Sequence, residues 1–424
     1  MFRLLLGNTG QWAEIAFGLS VLAISVLFWL LTVWKYHVQI SKFSFAVAAF
    51  FAYSVFRFVA AGVPISFMWV FVIEGWVAFC VASLISTFPR QYLVLLCIGL
   101  TVNGLVASLP IQGFQDALDA VTVAGNWRGQ EGVGLFGTRS TGLLAGAGLA
   151  SYDAVIGLAG CLVMAITDRR WFWHVGIVGS ILLGLGTGNR SFLLGSLGIV
   201  VLLPPLLILL RGRVLKGLGF LLLLVGLVSG LVVVSGMAEQ YSSRLAENTL
   251  DRDWETRFTG DAGIIPGINA ALRAPLFGFV VYDPLAKDYY TFDGERTVQP
   301  HHAWVYLAAT RGIPAAFVVF CVAMVGLRGI FLGIRSKQTH ANLALAYGLI
   351  FMTGQLVCLT DPFLETAATV AAIGFGLHQL KQRRPDARRR SRRSRPNGAP
   401  VSPGSSALSS IGEQNEERAE SHLK

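Results

Sequence analysis

Two adjacent histidines, His301 and His302, stand in the stretch QPHHAWVYLAATRGIPAA, and three arginines, Arg190, Arg257 and Arg311, stand at loop or helix-end positions. An imidazole is neutral near pH 7 and can take a proton from a hydroxyl. A guanidinium can grip a phosphate through two parallel hydrogen bonds. Each residue also has a plainer structural reading. The histidines could anchor a helix start at a membrane interface beside Trp304 and Tyr306. Arg190, in LGLGTGNRSFLLG, could snorkel at a tight turn. Arg257, in DRDWETRFTGDAG, could pair with Asp253 or Asp261. Arg311 and His302 could line the same cavity as His301, or Arg311 could cap a kink at Pro314.

The elements that must position these groups are apolar. The chain has 424 residues, 54% hydrophobic and 14% charged, with a mean hydropathy of +0.60. A soluble domain carries about 25% charge, so a soluble globular fold is a poor fit. Disorder is a poor fit too, because it needs low hydrophobicity. The composition implies an all-α polytopic membrane protein that enters the bilayer in several passes. A spanning helix needs about 20 mostly apolar residues, which predicts about eleven spans (ten to twelve). They fall at 12–34, 43–61, 65–88, 92–109, 141–166, 171–188, 192–210, 217–236, 303–330, 341–360 and 364–380. The first run is long enough to span, so no cleavable leader is expected.

Basic residues fall in every second connection: Lys35 and Lys42, Arg90, Arg169 and Arg170, Arg211 to Lys216, and Arg328 to Lys337. The excess of Lys and Arg on cytoplasmic loops then places the N-terminus outside and the C-terminus inside. Residues 1–236 form a first set of spans and 303–380 a second. The intervening loop 237–302 is long and polar, with ten acidic and six basic residues, and falls on the outer side together with 110–140 and 189–191. Loops of that length that are ordered are usually functional.

The tail 381–424 holds eleven of the 34 basic residues, so the net charge of +10 is largely a tail property. The tail is expected to be disordered, with its basic part on anionic headgroups. No aromatics interleave with the basic run, so no nucleic-acid partner is expected. Within the spans, Arg57 and Glu74 are expected to form a buried pair, and Asp153 is a further intramembrane charge. Asp361 and Glu365 frame an outer turn as helix caps. The five cysteines all lie in apolar runs and read as small buried residues. HExxH, the P-loop, the GxSxG elbow and CxxC are all missing from the sequence. Chemistry without a metal, nucleotide or other cofactor is therefore expected.

These segments together resemble the O-antigen ligase and O-antigen polymerase family of bacterial envelope membrane proteins. In that family the long outer loop ends in a His, then Asn, Ser or Gln, nine free positions, a Gly, two more positions and a small residue. Here His301 and His302 are followed by nine residues to Gly312, then Ile313, Pro314 and Ala315. His302 replaces the usual amide or Ser, and Ala315 replaces the usual Gly. The family's small-residue turn ending in Arg corresponds to Thr187-Gly188-Asn189-Arg190. Its loop Arg, upstream of a Pro-hydrophobic-hydrophobic-Gly segment, corresponds to Arg257 before Pro275, Leu276, Phe277 and Gly278. GLFGTRSTG at 134–142 is similar to the shorter outer loop. The matches run over about 137–315, and family members commonly have about twelve spans.

The resemblance implies a type C glycosyltransferase-like enzyme of the bacterial inner membrane. Its donor would be a glycan on undecaprenyl pyrophosphate, and its acceptor another glycan or lipid A-core. His301 would be the catalytic base, Arg190 and Arg257 would bind the pyrophosphate, and apolar grooves would hold the polyprenyl chain. Ligase and polymerase share these parts. A transporter or flippase for the same lipid-linked glycan is the alternative from another class.

Overall fold

The structure is a computed structural model. It describes residues 11–38, 40–60, 65–108, 147–168, 170–209, 258–260, 263–283, 288–291, 293–297, 300–335, 341–359 and 366–393, with isolated positions at 219, 222, 225, 226, 230 and 255. The described residues form helices α1 (Gln11–Tyr36), α2 (Lys42–Ala60), α3 (Ile65–Leu84), α4 (Pro89–Ser108), α5 (Ala147–Asp168), α6 (Phe172–Thr187) and α7 (Arg190–Leu209). Then come α8 (Ile264–Arg273), strands β1 (Val280–Asp283), β2 (Asp288–Thr291) and β3 (Arg296–Thr297), and helices α9 (Ala303–Arg311), α10 (Ile313–Ile334), α11 (Ala341–Val357) and α12 (Ala367–Arg393). Each expected span except the eighth and ninth overlaps a single helix; 217–236 lies almost wholly outside the described residues, as do Asp361, Glu365, residues 110–140 and most of the tail.

The chain is a membrane protein by length and composition of its helices. Pro89–Ala107, Gly148–Asp168 and Ile313–Ile334 are each long and apolar enough to cross a bilayer, and Leu22–Tyr36, Gly75–Leu84, Phe172–Thr187, Ser191–Leu207 and Ala341–Val357 are shorter apolar stretches. A helix that is apolar all round belongs inside a bundle, and α5 is such a helix: Ala150, Ala154, Val155, Leu158 and Leu162 have no exposure. α4, α6, α7 and α11 pack around it, and Tyr347 and Phe375 stack at 4.7 Å between α11 and α12.

Side-chain contacts fix which helix ends lie together. At one end Arg90 and Arg170 both meet the Asp168 carboxylate, Trp173 Nε1 donates to the same oxygen at 3.0 Å, and Tyr347 Oη donates to Pro89 O at 2.7 Å. The basic residues of two connections thus share one end, as their alternation predicts. At the other end Ser151 Oγ meets Thr187 Oγ1 at 2.9 Å, Tyr152 Oη meets Thr369 Oγ1 at 2.8 Å, and Ala303 N donates to Cys358 O at 2.9 Å. That end gathers the Thr187–Arg190 turn and the segment after His302.

Four features differ from the sequence expectation. α12 continues past residue 380 to Arg393, into the tail expected to be disordered. Cys321 is exposed on α10, whereas Cys97, Cys161 and Cys358 are buried as expected. The expected ninth span is two helices, α9 and α10, broken at Gly312, which has φ +92°. Pro314 sits in the first turn of α10, where its missing N–H costs nothing. The long loop is not without strands: β1, β2 and β3 form a small antiparallel sheet in that order, with Val280 opposite Thr291 and Tyr290 opposite Arg296. Val-Val-Tyr and Tyr-Tyr-Thr suit a pleated strand better than a helix.

Candidate functional site

His301 and His302 are both partly buried and lead directly into α9. His302 has extended backbone (φ −88°, ψ 118°), and its carbonyl accepts the first-turn bond from Tyr306 N at 2.8 Å. Its Nδ1 is buried with no hydrogen-bond partner among the described residues. Burial holds the His302 imidazole below the usual histidine pKa, so it is neutral at pH 7. The start of α9 rests on the end of α11 through the Ala303–Cys358 bond and through Trp304 Nε1, which donates to Gln355 Oε1 at 3.1 Å. Gln355 Nε2 is buried without a hydrogen bond among the described residues. Two polar atoms near the start of α9, His302 Nδ1 and Gln355 Nε2, are thus buried and open to a partner, a costly arrangement in a folded chain.

The far end of α9 is fastened to the loop. Phe279 N donates to Ala309 O at 2.7 Å, and Ile313 N donates to Pro275 O at 2.8 Å. Gly278 has φ +79°, and a Cβ there would lie 2.7 Å from Ala309 O; a Cβ at Gly312 would lie 2.3 Å from Leu276 O. Only glycine permits both the left-handed backbone and this approach. The Pro275–Gly278 segment and the Arg311–Gly312 step are therefore one interlocked unit. Arg57, near the end of α2, ties it further by donating through Nη2 to Gly278 O and to Thr310 O, both at 3.2 Å. Tyr53 Oη donates to Arg311 O at 3.0 Å.

These contacts bear on two expectations. Arg57 reaches across to backbone carbonyls of the loop and of α9; the Glu74 side chain lies outside the described residues. Arg311 is 1% exposed, with Nε donating to Ser54 Oγ at 2.7 Å. It braces the break at Gly312 against α2. No sequence signal pointed to Tyr53, Ser54 or Gln355.

The other candidates are placed in part. Arg190 is the first residue of α7, and its turn is tightly built: Gly188 closes α6 in a left-handed cap, Thr187 Oγ1 accepts from Asn189 N at 3.2 Å, and Asn189 Oδ1 accepts from Ser191 N at 3.0 Å. The Arg190 side chain and the whole of Arg257 lie outside the described residues. Contacts link the turn to the histidines: Thr187 meets Ser151, the neighbouring Tyr152 hydroxyl lies 3.1 Å from where a Gly354 Cβ would be, and Gly354 begins the turn ending at Cys358, on which Ala303 sits.

Two apolar cavities flank α9. One, of about 490 Å³, lies among α2, α9, α10 and α12 and is lined by residues such as Phe50, Tyr53, Leu307, Val318 and Val370. The other, of about 250 Å³, lies between α8 and α9 and is lined by Ile268, Leu272, Val305, Ala308 and Ile313. Trp304 lines both; His302 and Arg311 line neither. Among the described residues no three His, Cys, Asp or Glu side chains gather as a metal site. The arrangement offers a neutral imidazole at the start of α9 and, lined further along by Trp304 and Leu307, a groove that suits a hydrocarbon chain.

Comparisons with protein-family models, with curated proteins and with solved structures give no match to this chain.

Proposed function

We propose that the protein is a membrane glycosyltransferase of the O-antigen ligase or polymerase type. It moves a glycan from undecaprenyl pyrophosphate to an acceptor hydroxyl, on a glycan or on lipid A-core, at the outer face of the bacterial inner membrane. The observation that carries this reading is the locking of the Pro275–Gly278 loop onto the His301–Gly312 helix, whose start lies at the end of the bundle that also holds the Thr187–Arg190 turn. In this mechanism His301 takes the proton of the acceptor hydroxyl as its oxygen attacks the anomeric carbon, and the sugar–phosphate bond breaks on the opposite side. Arg190 and Arg257 neutralise the charge that develops on the departing pyrophosphate. The 490 Å³ groove beside Trp304 takes the first part of the polyprenyl chain.

The test is transfer from a lipid-linked donor by the purified protein in vesicles. His301→Ala should lower turnover about a hundredfold or more. Arg190→Ala should do the same, with Arg190→Lys only a partial rescue, because an ammonium lacks the two-pronged grip. Near-normal turnover in His301→Ala overturns the base role. Donor crossing the bilayer without any glycosidic bond formed identifies a flippase instead. In a deletion strain, free polymer accumulates if the protein is a ligase, and single capped repeats if it is a polymerase.

A further inference from the structure

Helix α8 has three distinct faces. Gly267 and Ala271 are buried against α9. Asn269 and Arg273 are exposed and polar, with Arg273 over the Phe279 ring at 5.4 Å. Between these two arcs, at i, i+3 and i+7, Ile265, Ile268 and Leu272 are 49%, 44% and 61% exposed. Leu276 and Phe277, in the turn that follows, are 64% and 59% exposed. Large apolar side chains lined up on an amphipathic helix mark a face that needs a cover.

The position of that face says what covers it. Pro275 O accepts the backbone bond of Ile313 N, the first residue of α10, and α10 is long and apolar enough to cross a bilayer. The backbone after α8 is thus fixed at the level where a span begins. Ile313, itself 40% exposed, joins Ile268 and Leu272 around the 250 Å³ cavity, so the α8 face runs without interruption into the exposed apolar side of α10, where Phe317 is 64% exposed. A surface continuous with the lipid-facing side of a span is bathed by the same lipid.

We infer that α8 lies flat at the membrane boundary, with Ile265, Ile268, Leu272, Leu276 and Phe277 immersed in the acyl-chain region of the adjacent leaflet, so that the loop and the Gly312 junction are held against the bilayer. Helices with this division of faces bind along the interface, burying one side about 5–10 Å deep. The partner is phospholipid hydrocarbon, and the inference is independent of the proposed transfer reaction.

The experiment uses the full chain in phosphatidylethanolamine–phosphatidylglycerol vesicles with radiolabelled acyl chains. A photo-crosslinking benzoylphenylalanine replaces Ile268, Leu272 or Phe277, with Phe317 as the lipid-facing reference and Asn269 as the aqueous one. Lipid label at 268, 272 and 277 should approach that at 317 and exceed that at 269 by about fivefold or more. Label no higher than at 269, or adducts between two protein chains in place of lipid, overturns the inference. The unaltered protein gives a second reading. A lipid-dissolved carbene reagent should mark the peptide 263–278 on its isoleucines and leucines, whereas marking by a water-soluble carbene alone would refute immersion.

Discussion

Two turns near the same end of this bundle are built in opposite ways. The Thr187–Ser191 turn closes on itself: Thr187 and Asn189 serve backbone groups two residues away, and Gly188 supplies the left-handed step. The junction at Gly312 is closed by residues far off in sequence: Pro275 and Phe279 across the loop, and Tyr53, Ser54 and Arg57 on α2. A turn held by its own side chains tolerates change elsewhere in the protein. A junction held from three places fails when any one of them is altered, and in exchange it ties the loop, α2 and α9 into one body.

The largest effect should come from Gly312→Val. It places a β-branched side chain at φ +92° and against Leu276 O, and should cost about 3 kcal/mol or more, read as a large drop in melting temperature in nanodiscs. Melting like the parent would mean that the junction gives way easily. Arg57→Met comes next. It removes two charge-assisted bonds to the carbonyls of Gly278 and Thr310, and should cost about 2–3 kcal/mol. Faster hydrogen exchange should appear in 275–279 and 309–313 together; exchange confined to α2 would break the claim of a single body.

Asn189→Ala should be milder, about 1 kcal/mol, the usual cost of losing a helix N-cap. Combined with Arg57→Met, its effect should add within about 0.5 kcal/mol, as expected of sites that share no partner. Strong coupling in that double variant would join what the structure keeps apart. The smallest effect concerns pH. His302 is held below its unfolded pKa by burial, so the folded chain binds fewer protons than the unfolded one. Its contribution to stability is complete above about pH 6.5 and declines as pH falls from there through the lowered folded value. His302→Gln should flatten that part of the stability–pH curve, and an unchanged slope would show that the imidazole is not desolvated.

The same contrast explains what could be read from sequence. Apolar runs announce themselves by length, so the helices from α1 to α7 and α11 fall where the hydropathy puts them, while α12 continues beyond its apolar run through a basic segment to Arg393. The Thr-Gly-Asn-Arg turn is local and was visible as a turn. The break between α9 and α10 is hidden in the sequence, because Ala-Thr-Arg-Gly-Ile-Pro interrupts an apolar stretch only briefly and the groups that take up its backbone bonds, Pro275 O and Phe279 N, lie in the loop. The carbonyl partners of Arg57 lie 221 and 253 positions away, where no spacing rule reaches, and its expected pairing with Glu74 falls on a side chain outside the described residues. The small sheet was missed because its short strands sit in a polar loop, although Val-Val-Tyr and Tyr-Tyr-Thr carried a strand signal. Pro275–Gly278 and Gly312 were each legible as motifs, but not their embrace.

The Arg57 clasp also bears on how the chain is made. Its second carbonyl partner is 253 residues downstream, and at a synthesis rate of about 5–20 residues per second that oxygen is born roughly 13–50 s after the arginine. The second helix therefore takes its place in the growing bundle long before this latch can shut, and the contacts to Tyr347, Cys358 and Thr369 must close later still. A ribosome halted before Thr310 would leave the second helix in place but unlatched.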